Sequence, residues 1–467
     1  MKVFRYKIVL IILCVVYFFL YYADFEVNRN TLTIIGWFGL LQLIVSTLSW
    51  INNGKSIISP YYFFLIALYL FSFGQSLLYP FNLVCEKRDL YESYSLYYGF
   101  SVKDIYLSQI QTLLMLNVFH IAGLKYSTKN NYSSGSAISK TSGHNNRLKQ
   151  IGWVLFAISI IPFLYDTIMD MITSMTMGYR ALYEAEAKIG IANSAKFIAA
   201  YFIPSIICLF IAYRHNKSVR KFLTVIVLGV SIAYLIIGGR SNAVILLGLI
   251  VILYQYLVKP FSKKVLLVGF VGAFFFLQIL SYIANTRNDV SVNSSSTIEL
   301  SDNAAVEAIS EMGWSQFCLI KSMQFVPSKE DFRYGRSYIF AFTSIIPNLG
   351  FWPIHPAKKE SNLGDWLTDT LGTTFGTGFS MCAEAWVNFG VFGFLIFYLW
   401  GALLGSIFGR IEKVISEENI ALLAFILVLF WFCLKIPRNA FLNVVRAVFY
   451  YAAPIYIVCN NYRIGKK

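Results

Sequence analysis

Charged residues are scarce in this chain. Only 13% of its 467 residues are Asp, Glu, Lys or Arg, and 57% are hydrophobic. A soluble globular domain is about a quarter charged, so a chain this apolar would precipitate in water unless lipid covered most of its surface. Histidine is rarer still, with four residues, none at ligand spacing from another His or a Cys, which argues against a transition-metal site. The seven cysteines (Cys14, Cys85, Cys208, Cys318, Cys382, Cys433 and Cys459) form no CxxC pair. Most fall in or beside apolar runs, where they read as small packing residues. There is no nucleotide-binding glycine loop and no internal repeat. Short segments of alternating polarity, the mark of a membrane β-barrel, are also missing, because the apolar runs are continuous. No metal and no cofactor are expected.

What is present is a series of apolar runs. A helix crossing a membrane needs about 20 mostly apolar residues. Runs near 8–23, 31–50, 58–80, 105–124, 150–172, 194–213, 222–238, 241–258, 265–284, 384–408, 420–436 and 440–459 qualify. They predict an all-α polytopic membrane protein of about 12 transmembrane helices, with residues 1–467 as a single transmembrane helical domain. The first run follows Lys2, Arg5 and Lys7 as in a signal peptide, but no small-residue cleavage site follows it. It reads as an uncleaved first span.

Charge sets the orientation. With both termini in the cytoplasm and the spans alternating, the inner tails and loops hold 21 lysines and arginines against three acidic residues, Glu412, Glu417 and Glu418. The rest of the chain holds 18 basic and 21 acidic residues. Basic loops stay in the cytoplasm, so the net charge of +15 is a topology signal and no argument for nucleic acid. The Ser/Asn/Lys-rich stretch 125–149 reads as a flexible cytoplasmic linker, and residues 285–383 as one large extracytoplasmic loop containing short helices. Structureless loops of that length are uncommon and often functional. Within it, residues 304–326 space Val306, Ile309, Met312, Phe317, Ile320 and Met323 as a helix lying in the membrane interface would. Pro347, Pro353 and Pro356 then prevent a continuous helix.

Several charges stand where burial makes them costly. Arg240 lies between two predicted spans among Gly238, Gly239, Ser241 and Asn242; it reads either as an interface anchor or as an anion clamp, since guanidinium matches phosphate oxygens. Arg287, Arg333 and Arg336 lie in the large loop, and Arg438 lies between the last two spans. Singly each reads as a surface charge; together they point to a shared anionic ligand. Glu384 opens a span among apolar neighbours, either paired with an arginine or placed for proton transfer. His355 is the one histidine of the large loop, either exposed or a general base. Trp314, Tyr334, Tyr338, Trp352 and Trp366 offer rings on which sugars stack, although Tyr and Trp also favour membrane interfaces in general.

Residues 238–241 (GGRS), EMGW (311–314), YGRSY (334–338), Ile346-Pro347, PIHPAKK (353–359) and above all GFSMCAEAWVNFGVFG (378–393) occur in this order. In that order and topology they resemble the O-antigen polymerase (Wzy) family over roughly 230–400. The resemblance implies a glycosyltransferase that joins oligosaccharide repeat units carried on undecaprenyl diphosphate, on the outer face of the bacterial cytoplasmic (inner) membrane. The product would be O-antigen or capsular polysaccharide. The diphosphate already activates the donor, so no nucleotide and no metal is implied. Arg240, Glu384 and His355 would be the catalytic candidates. Arg287, Arg333, Arg336, Lys358, Arg438 and Tyr338 would bind diphosphate or sugar. Membrane lipid, a chain-length regulator and a flippase are the partners implied. Two other readings stand beside this one: an O-antigen ligase, which differs in its acceptor, and a flippase for the lipid-linked unit. A transporter typically shows paired repeats, and none is visible here.

Overall fold

The computed structural model describes residues 2–83, 89–91, 99–127, 142–177, 182, 191–262, 264–265, 268–269, 272, 304–373 and 376–460. Among them there is no strand. Nine helices among the described residues are long and apolar enough to cross a membrane, or ten if a bent pair counts as one crossing. The chain is thus an all-α polytopic membrane protein, and among the described residues it differs from the expected runs in two places, with a third run left outside them. The run 58–80 turns by 88° between Pro60–Phe73 and Gln75–Phe81. The run 241–258 is a shorter apolar helix, Ser241–Leu257. The run 265–284 falls almost wholly outside the described residues, as do most of the linker 125–149 and the start of the large loop.

The chain forms two compact units. The first comprises Met1–Asn131, Val306–Arg410 and Phe432–Arg446; the second comprises Tyr132–Ala305, Ile411–Trp431 and Ala447–Lys467.

In the first unit the helix Val102–Tyr126 is central. Ser101 and Asp104 cap its start reciprocally, the Ser101 amide donating to Asp104 Oδ2 (2.7 Å) and the Asp104 amide to Ser101 Oγ (3.2 Å). Its buried polar residues join it to its neighbours. Asn117 Nδ2 donates to the Leu10 carbonyl (2.8 Å), Gln109 Nε2 to Ser76 Oγ (2.8 Å) and Gln111 Nε2 to the Val391 carbonyl (3.0 Å). His120 Nε2 lies 2.7 Å from Ser49 Oγ. Lipid tails give helices no hydrophobic reason to associate, so such bonds and close packing hold them together.

Close packing comes from a glycine seam. Gly401, Gly405 and Gly409 recur every four residues on the helix Phe394–Phe408 and its cap, facing Val102–Tyr126. A Cβ on Gly401 would lie 2.0 Å from the Phe119 carbonyl oxygen, and one on Gly405 would lie 2.7 Å from Gly123 Cα. Gly405→Val therefore forces the two backbones apart. Overpacking of this kind costs about 1–3 kcal/mol or more, so the variant is expected to melt at a clearly lower temperature in detergent. An unchanged melting temperature would contradict the seam.

The segment 304–326 corrects the expectation of one interfacial helix. It forms two helices, Ala304–Gly313 and Gln316–Phe325. The second buries Gln316, Phe317, Cys318, Leu319, Ile320, Lys321, Ser322 and Phe325 against Met381–Phe389 and Val102–Tyr126. Its apolar spacing serves a core on several sides rather than a lipid surface on one. Gly313, of EMGW, packs on the bend at Gly74: a Cβ there would lie 2.4 Å from the Gln75 amide nitrogen. Gln75 Nε2 donates to the Ser310 carbonyl (3.0 Å) and fixes that contact.

In the second unit, Lys217–Ile237 and Arg240–Leu257 form a helical hairpin. Gly238 ends the first helix with φ +106°, a left-handed cap that suits glycine. Thr224 Oγ1 and Tyr254 Oη, 3.0 Å apart, tie the two helices together.

Candidate functional site

The first unit brings two of the sequence motifs together. The helix Met381–Phe389 starts at Ser380, whose side chain accepts from the Ala383 amide, and stops at Gly390, which adopts φ +56°. The segment 332–338 crosses the end of that helix. The Arg333 amide donates to the Val387 carbonyl (3.0 Å) and the Tyr334 amide to the Asn388 carbonyl (3.1 Å), satisfying groups a helix end leaves open. Gly390 permits the crossing, since a Cβ there would lie 2.9 Å from the Phe332 ring. Tyr334 and Gly335 both take left-handed backbone, at φ +46° and +86°, and the chain turns into the helix Arg336–Ala341.

At the centre lies Glu384, 1% exposed. Its Oε1 accepts from Ser337 Oγ (2.8 Å) and its Oε2 from the Phe441 amide (2.6 Å). Of the two expected environments, an arginine partner is not the one observed: a hydroxyl and a backbone amide hold the carboxylate. Asn388, one turn further along the helix, donates through Nδ2 to Ser337 Oγ and to the Glu384 carbonyl, both at 2.8 Å, and accepts from the Gly335 amide at 3.0 Å. Ser361 Oγ donates to the Ser337 carbonyl (2.7 Å) and closes the network.

The arginines on the segments joined by this carboxylate stand in distinct settings. Arg333 donates to the Glu360 carbonyl (2.9 Å), approaches Glu330 (4.0 Å) and covers the Trp366 ring at 5.2 Å. Burial pushes its pKa down and Glu330 and Glu360 oppose the shift; a guanidinium remains charged regardless. Trp366 is engaged twice, since its Nε1 also donates to both Glu330 oxygens at 3.0 Å. Arg336 pairs with Glu360 Oε1 (3.0 Å), yet its side chain is 59% exposed. Arg438 is exposed at the end of the 3-10 turn Ile436–Arg438, three residues before Phe441. Its charge draws down the pKa of the Cys318 thiol, which burial nonetheless pushes up to about 12. Lys358 is exposed on the short helix Pro356–Glu360.

Other sequence candidates take different places. His355 caps the helix Pro356–Glu360: its Nδ1 accepts from the Ala357 amide (3.1 Å), and its Nε2, 2.9 Å from the Ile346 carbonyl, donates to it. It thereby ties Ile346-Pro347 to PIHPAKK. The Tyr338 ring stacks on Phe389 (6.4 Å, 9°) and meets Phe441 edge-on (5.3 Å). Trp314 stacks on Phe317 at 5.1 Å. Arg240 opens the helix Arg240–Leu257 of the second unit; its side chain, and Arg287 altogether, lie outside the described residues. Among the described residues no three His, Cys, Asp or Glu side chains gather as a metal ion requires.

Sequence reasoning missed Ser337, Asn388, Glu360 and the Phe441 amide. Asn388 carried a signal, since a polar residue four positions after Glu384 shares its helix face. The Phe441 contribution had none, because a backbone amide is common to every residue.

The family model described as O-antigen polysaccharide polymerase Wzy matches residues 6–461, nearly the whole chain. No curated protein matches the chain, and no solved structure does.

Proposed function

The chain belongs to the O-antigen polysaccharide polymerase Wzy family, and from that premise we propose how it joins repeat units. The units arrive on undecaprenyl diphosphate at the outer face of the bacterial cytoplasmic membrane, with both termini of the chain in the cytoplasm. The excess of Lys and Arg in the inner loops supports this orientation. A hydroxyl oxygen of the incoming unit attacks the anomeric carbon of the growing chain. The bond from that carbon to the diphosphate breaks, the electron pair leaves on the diphosphate, and the hydroxyl proton passes to a phosphate oxygen or to water. Charge therefore develops on the leaving group, where fixed guanidinium groups stabilise it without a metal.

Arg336 and Arg438 are the groups best exposed for this task. The observation that carries the reading is the position of Glu384. One of its oxygens holds Ser337, next to Arg336, and the other holds Phe441, three residues after Arg438. A single buried carboxylate fixes both arginine-bearing segments, so Glu384 acts as a positioning residue. Arg333 braces the same loop by holding the Glu360 carbonyl and covering Trp366, and exposed Lys358 adds charge on the helix Pro356–Glu360. His355, with both ring nitrogens engaged, anchors the segment 346–356. Arg240 and Arg287 are further candidate phosphate ligands. A chain-length regulator and a flippase are the partners such a polymerase works with.

A polysaccharide gel from a strain lacking the gene tests the reading. A single repeat unit on the surface glycolipid, with the ladder restored by the wild-type gene, is the expected result. A null strain with no unit on the glycolipid at all would replace the polymerase by a ligase or a flippase.

A further inference from the structure

Outside every candidate span, six large apolar side chains stand exposed within sixteen residues: Ile339 (67%), Phe342 (56%), Ile346 (49%), Leu349 (74%), Phe351 (68%) and Ile354 (62%). Water-facing surfaces rarely present contiguous apolar patches of this kind. The segment is nevertheless well built. Asn348 Nδ2 donates to the Trp352 carbonyl (2.9 Å), and its Oδ1 accepts from the Gly350 and Trp352 amides (both 3.2 Å). His355 binds the Ile346 carbonyl on one side and the Ala357 amide on the other. The turn thus satisfies several of its backbone groups internally, and at the boundary between headgroups and acyl chains the others can meet headgroups and water.

The opposite face is anchored. Ala341 and Ala357 pack on Leu442 and Val445, with Ile345 and Phe441 beside them. Exposed Arg336, Lys358 and Lys359 stand at the two ends of the apolar segment. Apolar residues on one side with Lys and Arg beside them are the signature of an element that lies in the boundary between headgroups and acyl chains.

We propose that residues 339–354 form a wedge seated at the boundary between headgroups and acyl chains, its apolar side chains reaching the hydrocarbon and Arg336, Lys358 and Lys359 at the level of the lipid phosphates. The occupant of the patch is phospholipid hydrocarbon. Since the wedge packs directly beside Phe441, it sets the depth at which the Glu384 network meets the bilayer. The inference rests on the chain being a membrane protein and is independent of the reaction it catalyses.

Nitroxide labels test it. Leu349→Cys, Phe351→Cys and Ile354→Cys are each made in the full chain with the native cysteines replaced, and the protein is placed in phosphatidylethanolamine–phosphatidylglycerol vesicles. Ile161→Cys, on a candidate span and 74% exposed, is the lipid reference, and Asp369→Cys, exposed on the helix Leu363–Leu371, the aqueous one. The three wedge labels are expected to collide with oxygen well above a soluble nickel chelate, in the ratio found at residue 161. A ratio like that at residue 369 puts the patch in water and overturns the proposal. Immobilised labels that neither reagent reaches put it against protein, a second copy or another part of this chain, and overturn it equally. The three wedge side chains are each more than half exposed, and all labels are compared within one cysteine-replaced parent whose melting temperature is first shown to match the wild type.

Discussion

Glu384→Gln is expected to slow polymerisation about 10²-fold, the cost of roughly 1 Å of misplacement in a reacting site, while the protein stays folded in the membrane. Glutamine keeps the shape of glutamate but changes the count of donors. The carboxylate accepts from both Ser337 Oγ and the Phe441 amide. An amide offers one acceptor oxygen and brings two donors of its own. With the oxygen towards Ser337, donor faces donor at Phe441. With the amide flipped, Ser337, which already accepts from Asn388 Nδ2, has nowhere to place its own proton. One arginine-bearing segment must therefore shift. Glu384→Ala is a poorer test, because a buried polar group left unpaired costs about 1–3 kcal/mol and a fall in activity would then be mixed with unfolding. The measurement is turnover of lipid-linked repeat units by purified protein, with the melting temperature taken alongside. Wild-type turnover in the Gln variant would remove Glu384 from the positioning role.

The sequence made the membrane architecture readable because lipid imposes a simple rule: about 20 apolar residues per crossing. Most of the runs appear as helices for that reason. The rule says nothing about straightness, which is why the bend at Gly74 escaped it. It also does not separate burial in lipid from burial in protein. Residues 316–325 carry an apolar pattern that fits both, and the structure encloses them in the first unit. The interfacial character expected there is the one we propose for residues 339–354, whose prolines and glycine hide any helical period. At the site, the charged residues were legible one by one, since Arg336, Arg438 and Glu384 stand out against apolar neighbours. Their connection was not. It runs through Ser337, Asn388 and a main-chain amide, and only folding brings residue 441 to residue 384. Trp366 and Tyr338 illustrate the same limit: expected as platforms for sugars, they are occupied by Arg333 and Phe389.

The arginines of the site divide by role, and the division predicts opposite outcomes for substitutions that look alike. Arg336→Ala together with Arg438→Ala is expected to lower turnover by about 10²–10³-fold, the loss typical of removing a fixed donor from a developing negative charge. Stability should hardly change. Both side chains are exposed, and the one ion pair lost, Arg336 to Glu360, is a partly solvated contact of a kind worth about 0–1 kcal/mol. Arg333→Ala is expected to do the reverse and lower the melting temperature first. Its side chain is only 13% exposed, it covers the Trp366 ring and it holds the Glu360 carbonyl, so its removal loses packing as well as a hydrogen bond to a charged group, itself worth about 1.5–3 kcal/mol. Lysine separates the two roles further. Arg336→Lys keeps the charge and loses the planar fork that matches phosphate, so it should recover part of the turnover, whereas Arg333→Lys should recover little of the stability. A normal polysaccharide ladder from the Arg336/Arg438 double variant, at wild-type protein levels, would move the diphosphate away from these two arginines and leave Glu384 organising a surface that the reaction does not use.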